Sequence, residues 1–95
     1  MAVEMGERDT LRLVAFMDRP FTKLQGQYLT FIALYTKLNR RPPSEADIQA
    51  YFQVTPPSVH NMIVTLERRG LISKTAGAPR SIRVLVETEL LPPLD

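Results

Sequence analysis

Thr55-Pro56-Pro57-Ser58-Val59-His60-Asn61-Met62-Ile63-Val64-Thr65-Leu66-Glu67-Arg68-Arg69-Gly70 carries a helix start, an amphipathic body and a helix stop in one stretch. A threonine hydroxyl can accept from the first free amides of a helix, and a proline at the next position has a φ already suited to the first turn. Val59, Met62, Ile63 and Leu66 fall on one stripe at helical spacing, and Gly70 stands where a left-handed residue closes a helix. Beyond Gly70 the period changes to two. Leu71-Ile72-Ser73-Lys74 and Ser81-Ile82-Arg83-Val84-Leu85-Val86 read as strands around the turn-rich Thr75-Ala76-Gly77-Ala78-Pro79-Arg80, a hairpin with a six-residue loop.

Upstream, Gln53-Val54-Thr55 separates this helix from a shorter one. Ser44 can cap the shorter helix, Glu45 and Asp47 suit the positive end of its dipole, and Ala46, Ile48, Tyr51 and Phe52 supply its apolar contacts. Before it, Arg40-Arg41-Pro42-Pro43 ends an earlier helix, because a residue preceding proline is pushed out of the α region. That earlier helix covers residues 22–39, with Leu24, Tyr28, Phe31, Ile32, Tyr35 and Leu38 at the spacing of one buried face. Thr22 and Gln25 stand at capping-box spacing at its start. Helix, helix, helix, hairpin is the element order of a three-helix winged helix-turn-helix, mainly α with a small antiparallel β-hairpin. Residues 21–86 make up this domain, residues 1–20 an N-terminal extension and residues 87–95 an acidic tail.

The 95 residues, 44% of them hydrophobic, amount to one small domain, and no apolar run reaches the length that spans a bilayer. The first twenty residues do not resemble a signal peptide, and an intracellular, cytoplasmic protein without membrane contact is expected. With no cysteine and one histidine, neither a disulfide framework nor a metal site can be assembled, and no cofactor is expected. The net charge of +2 averages unlike segments: residues 22–86 hold nine bases and three acids, residues 87–95 three acids and no base. A domain of +6 between acidic ends is a reason to expect a nucleic-acid partner.

From Phe21 to Leu85 the chain resembles the N-terminal DNA-binding domain of the LexA repressor family. The similar features are Phe21-Thr22 opening the first helix, Arg41-Pro42-Pro43-Ser44 before the second, and Thr55-Pro56 opening the third. Leu66-Glu67-Arg68-Arg69-Gly70-Leu71-Ile72 and Gly77-Ala78-Pro79-Arg80-Ser81-Ile82-Arg83-Val84-Leu85 follow in the same order. The chain departs from the family at Gln53, where the pattern has glycine, and at Gln49, where it has a small alanine. The resemblance implies a recognition helix in the major groove and a wing on the backbone. In that family the wing leads into a self-cleaving serine-lysine peptidase domain that also dimerises the repressor; with only residues 87–95 after the wing, neither peptidase nor any other enzymatic activity is expected here.

The face of the third helix opposite its apolar stripe is polar. Thr55, Ser58, His60 and Asn61, near its start, are the candidates for base contact, since asparagine pairs bidentately with adenine and serine or histidine can bond base edges. A solvated surface is the plainer alternative. A pH switch or catalytic base at His60 is set aside, because Ser58, two positions away on a helix, does not face it. Arg40, Arg41, Lys74, Arg80 and Arg83 are candidates for phosphate contact, which positions a protein without reading sequence. Arg68 and Arg69 suit the negative end of the helix dipole equally well.

Leu11, Leu13, Val14, Phe16 and Met17 form an apolar cluster that needs a surface, and Leu29 and Leu34, with Ala33, offer one off the core stripe of the first helix. Docking there within the chain, or across a homodimer, is the hypothesis. The closing Leu90-Leu91-Pro92-Pro93-Leu94-Asp95 is expected to fray. Together these readings predict a transcriptional regulator that binds specific double-stranded DNA, with no small-molecule substrate; the alternative is a winged-helix module that binds another protein.

Overall fold

Three capped helices and a two-stranded hairpin follow in chain order: α1 Lys23–Asn39, α2 Glu45–Phe52, α3 Pro56–Arg68, β1 Ile72–Ser73 and β2 Arg83–Val84, then a 3-10 turn at Thr88–Leu90. The computed structural model describes residues 20–95. The N-terminal candidates Leu11, Leu13, Val14, Phe16 and Met17 lie outside them.

Each helix begins on the hydroxyl residue predicted for it. At α1 the Thr22 amide donates to Gln25 Oε1 at 2.9 Å and the Gln25 amide to Thr22 Oγ1 at 3.1 Å. At α2 the Ser44 amide donates to Asp47 Oδ2 at 3.0 Å and the Asp47 amide to Ser44 Oγ at 3.1 Å, so Asp47 completes a capping box there. At α3 Thr55 accepts from the Ser58 amide, and Pro56 takes the first helical position. α1 ends one residue before Arg40, which turns left-handed, and Gly70 follows α3 at φ +73°, a region where a side chain is strained.

The core joins the three helices to the hairpin through Leu29, Ile32, Ile48, Val59, Ile63, Leu66, Ile72 and Ile82, each at most 2% exposed. α3 buries the stripe predicted for it, with Met62 half-buried. α1 does not. Leu24 and Leu38, placed on its buried face by periodicity, are exposed, while every residue from Gln25 to Ile32 is buried. Ala46 of α2 is likewise exposed rather than packed. Aromatic rings fasten α2 to α1: Phe52 stacks on Tyr28 with centroids 4.3 Å apart and Tyr51 on Phe31 at 4.6 Å, offset contacts worth about 0.5–1.5 kcal/mol per pair beyond their burial.

The hairpin is antiparallel, with Ile72 opposite Val84 and Ser73 opposite Arg83. It is shorter than the strands predicted over residues 71–74 and 81–86. The Leu85 amide still reaches the Leu71 carbonyl at 2.9 Å in the same register. At the loop end, the Ser81 hydroxyl accepts from the Thr75 amide at 3.0 Å and takes the place of a ladder bond.

α1 is buried on more than one side because the C-terminal segment lies along it. Gln27 Nε2 donates to the Pro93 carbonyl at 2.9 Å, Gln27 Oε1 accepts the Asp95 amide at 2.8 Å, and Thr30 Oγ1 donates to the Pro92 carbonyl at 2.8 Å. Tyr51 Oη donates to the Asp95 carbonyl at 3.0 Å, and Leu91 and Leu94 pack against the core. The expectation of a frayed terminus is therefore corrected: among the described residues the side chains of buried Gln27 and Thr30 have no other partners, and extended backbone with free carbonyls satisfies them. Gly26 permits the approach, since a Cβ there would stand 3.0 Å from Pro92 Cγ and 2.9 Å from Phe21 Cε1.

Two arginines tie elements that are distant in sequence. Arg69, after α3, donates to Gln25 Oε1 at 3.0 Å and to the Pro20 carbonyl at 2.7 Å, at the start of α1. Arg80 in the wing donates from Nη1 to Asp47 Oδ2 at 2.8 Å, with Tyr35 Oη and the Pro42 carbonyl each at 3.3 Å. The Ser44 amide above all, with the Ser44 hydroxyl, Arg80 and Tyr35, holds the Asp47 carboxyl at about 2, below its usual 3.8, against the opposing effect of burial. A carboxyl depressed in the folded state stabilises the fold above its unfolded pKa and loses that contribution as pH falls through the folded value. Stability measured by chemical denaturation is expected to decline between about pH 4 and about pH 2, and Asp47→Asn to flatten that decline while lowering stability at neutral pH.

Candidate nucleic-acid interface

The connection between α2 and α3 fixes how α3 is presented. Gln53 closes α2 in the left-handed region, at φ 53° and ψ 50°, with its amide bonded to the Gln49 carbonyl at 2.8 Å. The turn thus keeps a glycine-like backbone without a glycine, and the half-buried Gln49 is accommodated on α2. Left-handed backbone is unfavourable for a residue with a Cβ. Gln53→Gly is expected to stabilise the domain by about 0.5–1 kcal/mol, after allowing for the added freedom of the unfolded chain. Thermal unfolding followed by circular dichroism should show the midpoint rise by roughly 2–8 °C; a fall would mean that the glutamine side chain stabilises the turn.

All four base-contact candidates are exposed at the start of α3. Thr55 Oγ1 and Ser58 Oγ lie 2.9 Å apart and so share one hydrogen bond, which leaves lone pairs on both oxygens. Ser58 and Asn61, three apart, lie on one face of the helix. The Asn61 side-chain amide has no partner among the described residues, whereas its backbone carbonyl accepts from Thr65 Oγ1 at 2.9 Å. His60 turns toward α2, with Nδ1 3.4 Å from Glu45 Oε1.

The five phosphate candidates separate. Arg40, Arg41 and Arg83 are exposed, make no ion pair among the described residues, and together line a groove of about 570 Å³ between the end of α1 and β2. Lys74 Nζ lies 3.2 Å from Glu45 Oε2. Arg80 is engaged within the domain, with Nη1 of its guanidinium 2.8 Å from Asp47 Oδ2, a contact that ties the wing to α2.

Glu45 is the residue that sequence reasoning missed. As the first residue of α2 it looked like an acid placed for the helix dipole, yet it joins His60 of α3 to Lys74 of the wing. Its position before the Ala46-Asp47 turn was visible; the two bases brought to it from 15 and 29 residues away were not. The docking candidates also change character. Leu29 is part of the core, and Leu34, 40% exposed, borders a hollow shared with Leu91, Pro92, Pro93 and Leu94. The described residues include no cluster of three metal-ligating side chains and no helix long and apolar enough to cross a membrane.

A short helix, a tight left-handed turn, a second helix with an exposed polar N-terminal face and a following hairpin define a winged helix-turn-helix. Residues 18–81 match the LexA DNA binding domain, and the chain belongs to that family. It is 33% identical over 66 residues to the LexA repressor of Thermotoga petrophila, covering 70% of this chain and 34% of that protein. Similar matches are the LexA repressor of Thermosipho melanesiensis, 32% identical over 71 residues with coverage of 75% and 36%, and that of Exiguobacterium sibiricum, 34% identical over 70 residues with coverage of 73% and 34%. The chain spans about a third of the length of the curated relatives it matches.

Proposed function

We propose that this protein binds specific double-stranded DNA as a repressor-like regulator, with α3 in the major groove and the wing beside the backbone. The observation that carries the reading is the exposed start of α3, where Ser58, His60 and Asn61 stand free of the core while Val59 and Ile63 anchor the helix beneath them. Such an arrangement lets a helix enter a groove without unpacking the domain. Arg40, Arg41 and Arg83 act on phosphates, and Lys74 joins them only when it leaves Glu45. The domain binds and performs no chemistry. Two copies on neighbouring half-sites complete the regulator; sedimentation showing only monomer at high micromolar concentration would contradict that pairing.

Titration of a selected and a random duplex at several salt concentrations tests the reading. Each neutralised phosphate contributes roughly −0.9 to the slope of log K against log salt, so three free arginines give a slope of about −3 per domain. Arg83→Ala should make it shallower by about 1, equally for both duplexes. Weak, salt-insensitive binding with no preference for the selected duplex would favour a protein-binding module instead.

A further inference from the structure

We propose that Glu45 sets base specificity by acting through His60: its carboxylate fixes which ring nitrogen carries the proton and leaves the other as an acceptor for a base edge. The inference rests on α3 lying in the major groove. Glu45 Oε1 is 3.4 Å from His60 Nδ1, and a carboxylate can only accept, so the proton of a neutral imidazole is held on Nδ1. Nε2 then keeps its lone pair. It has no partner among the described residues, and the His60 side chain is 59% exposed.

An acceptor presented to the major groove matches the exocyclic amine of adenine or cytosine and opposes the N7 and O6 acceptors of guanine. Glu45 is thus a positioning residue, although it touches no base itself. Among the described residues the charged groups around the ring are few. Glu45 faces it from α2, Lys74 of the wing reaches it only through Glu45, and the neighbouring Asp47 and Arg80 are paired with each other at 2.8 Å. The Glu45 carboxylate holds Lys74 Nζ at 3.2 Å, away from phosphate, so removing it raises affinity for every sequence.

The test is selection from a randomised duplex pool by the full chain, comparing wild type, Glu45→Gln, Glu45→Ala, His60→Ala and Asn61→Ala under one set of conditions. The wild type should prefer adenine or cytosine over guanine at one position by roughly three- to tenfold. Both Glu45 variants and His60→Ala should bring that preference to within about twofold. The α2 capping box uses Ser44 and Asp47, so melting curves of the Glu45 variants should stay close to wild type. A preference that survives Glu45→Ala, or that His60→Ala leaves in place while Asn61→Ala alters selection elsewhere, overturns the proposal and spares the groove-reading function. Selection unchanged by both His60→Ala and Asn61→Ala overturns the two together.

Discussion

Ile48→Ala is expected to lower the stability of the domain by roughly 2–5 kcal/mol, the range for removing a fully buried branched side chain and leaving a cavity. Ile48 has no exposed surface and is the one fully buried residue of α2, which has only eight residues to hold it in place. Small domains are stable by roughly 5–15 kcal/mol, so this loss is a large share of the total. It also acts where function would feel it, because α2 supports the turn that presents α3 and carries Glu45 and Asp47 at its first turn. The thermal midpoint should fall by about 4–8 °C for each kcal/mol lost. Leu38→Ala, at a side chain 79% exposed, is the matched control and should change stability by less than about 0.5 kcal/mol.

The second large effect falls on binding alone. Asn61→Ala should weaken the selected duplex by about 1–3 kcal/mol, or roughly 5- to 150-fold, while leaving a random duplex within about twofold. The side chain is exposed and has no partner among the described residues, so the folded domain loses nothing when it is shortened. Unchanged melting together with a sequence-dependent loss in a fluorescence-anisotropy titration separates lost base reading from damage to the fold. An equal loss on both duplexes would instead place Asn61 on the backbone.

The parts of the fold that were legible in the sequence are those decided within a few residues. Thr22 with Gln25, Ser44 with Asp47, Thr55 with Ser58 and the left-handed Gly70 all act over one helical turn, and so do the stripe of α3 and the stop at Arg40. Contacts that depend on distant chain were not legible. Gln27 and Thr30 carry no local signal of burial, because their partners, the carbonyls of Pro93 and Pro92, lie 66 and 62 positions away. Leu29 was read as surplus apolar surface because one period was taken to mean one buried face, whereas every residue from Gln25 to Ile32 is buried.

The candidate site divides along the same line. The exposed start of α3 follows from helical geometry once Val59 and Ile63 are known to point inward, and its four polar residues could be named without coordinates. Assigning the bases required the placement of the wing. A wing arginine can meet a phosphate or a carboxylate with equal chemical ease, and Asp47 lies 2.8 Å from Arg80 only because Tyr35 and Pro42 line the same corner. Glu45 escaped notice for a related reason, since a first-turn acid already had a sufficient explanation in the helix dipole.

The most direct measurement is an NMR titration of the labelled protein with its selected duplex, following each backbone amide and the side-chain amides of asparagine and glutamine. The largest shifts should fall on Ser58, His60 and the Asn61 side chain, with smaller ones at Arg40, Lys74 and Arg83, while the Gln27 side chain and Asp95 amide, bonded to each other at 2.8 Å, stay in place. Shifts centred on Gln27, Thr30 and Leu91 to Asp95, with α3 unperturbed, would contradict that expectation.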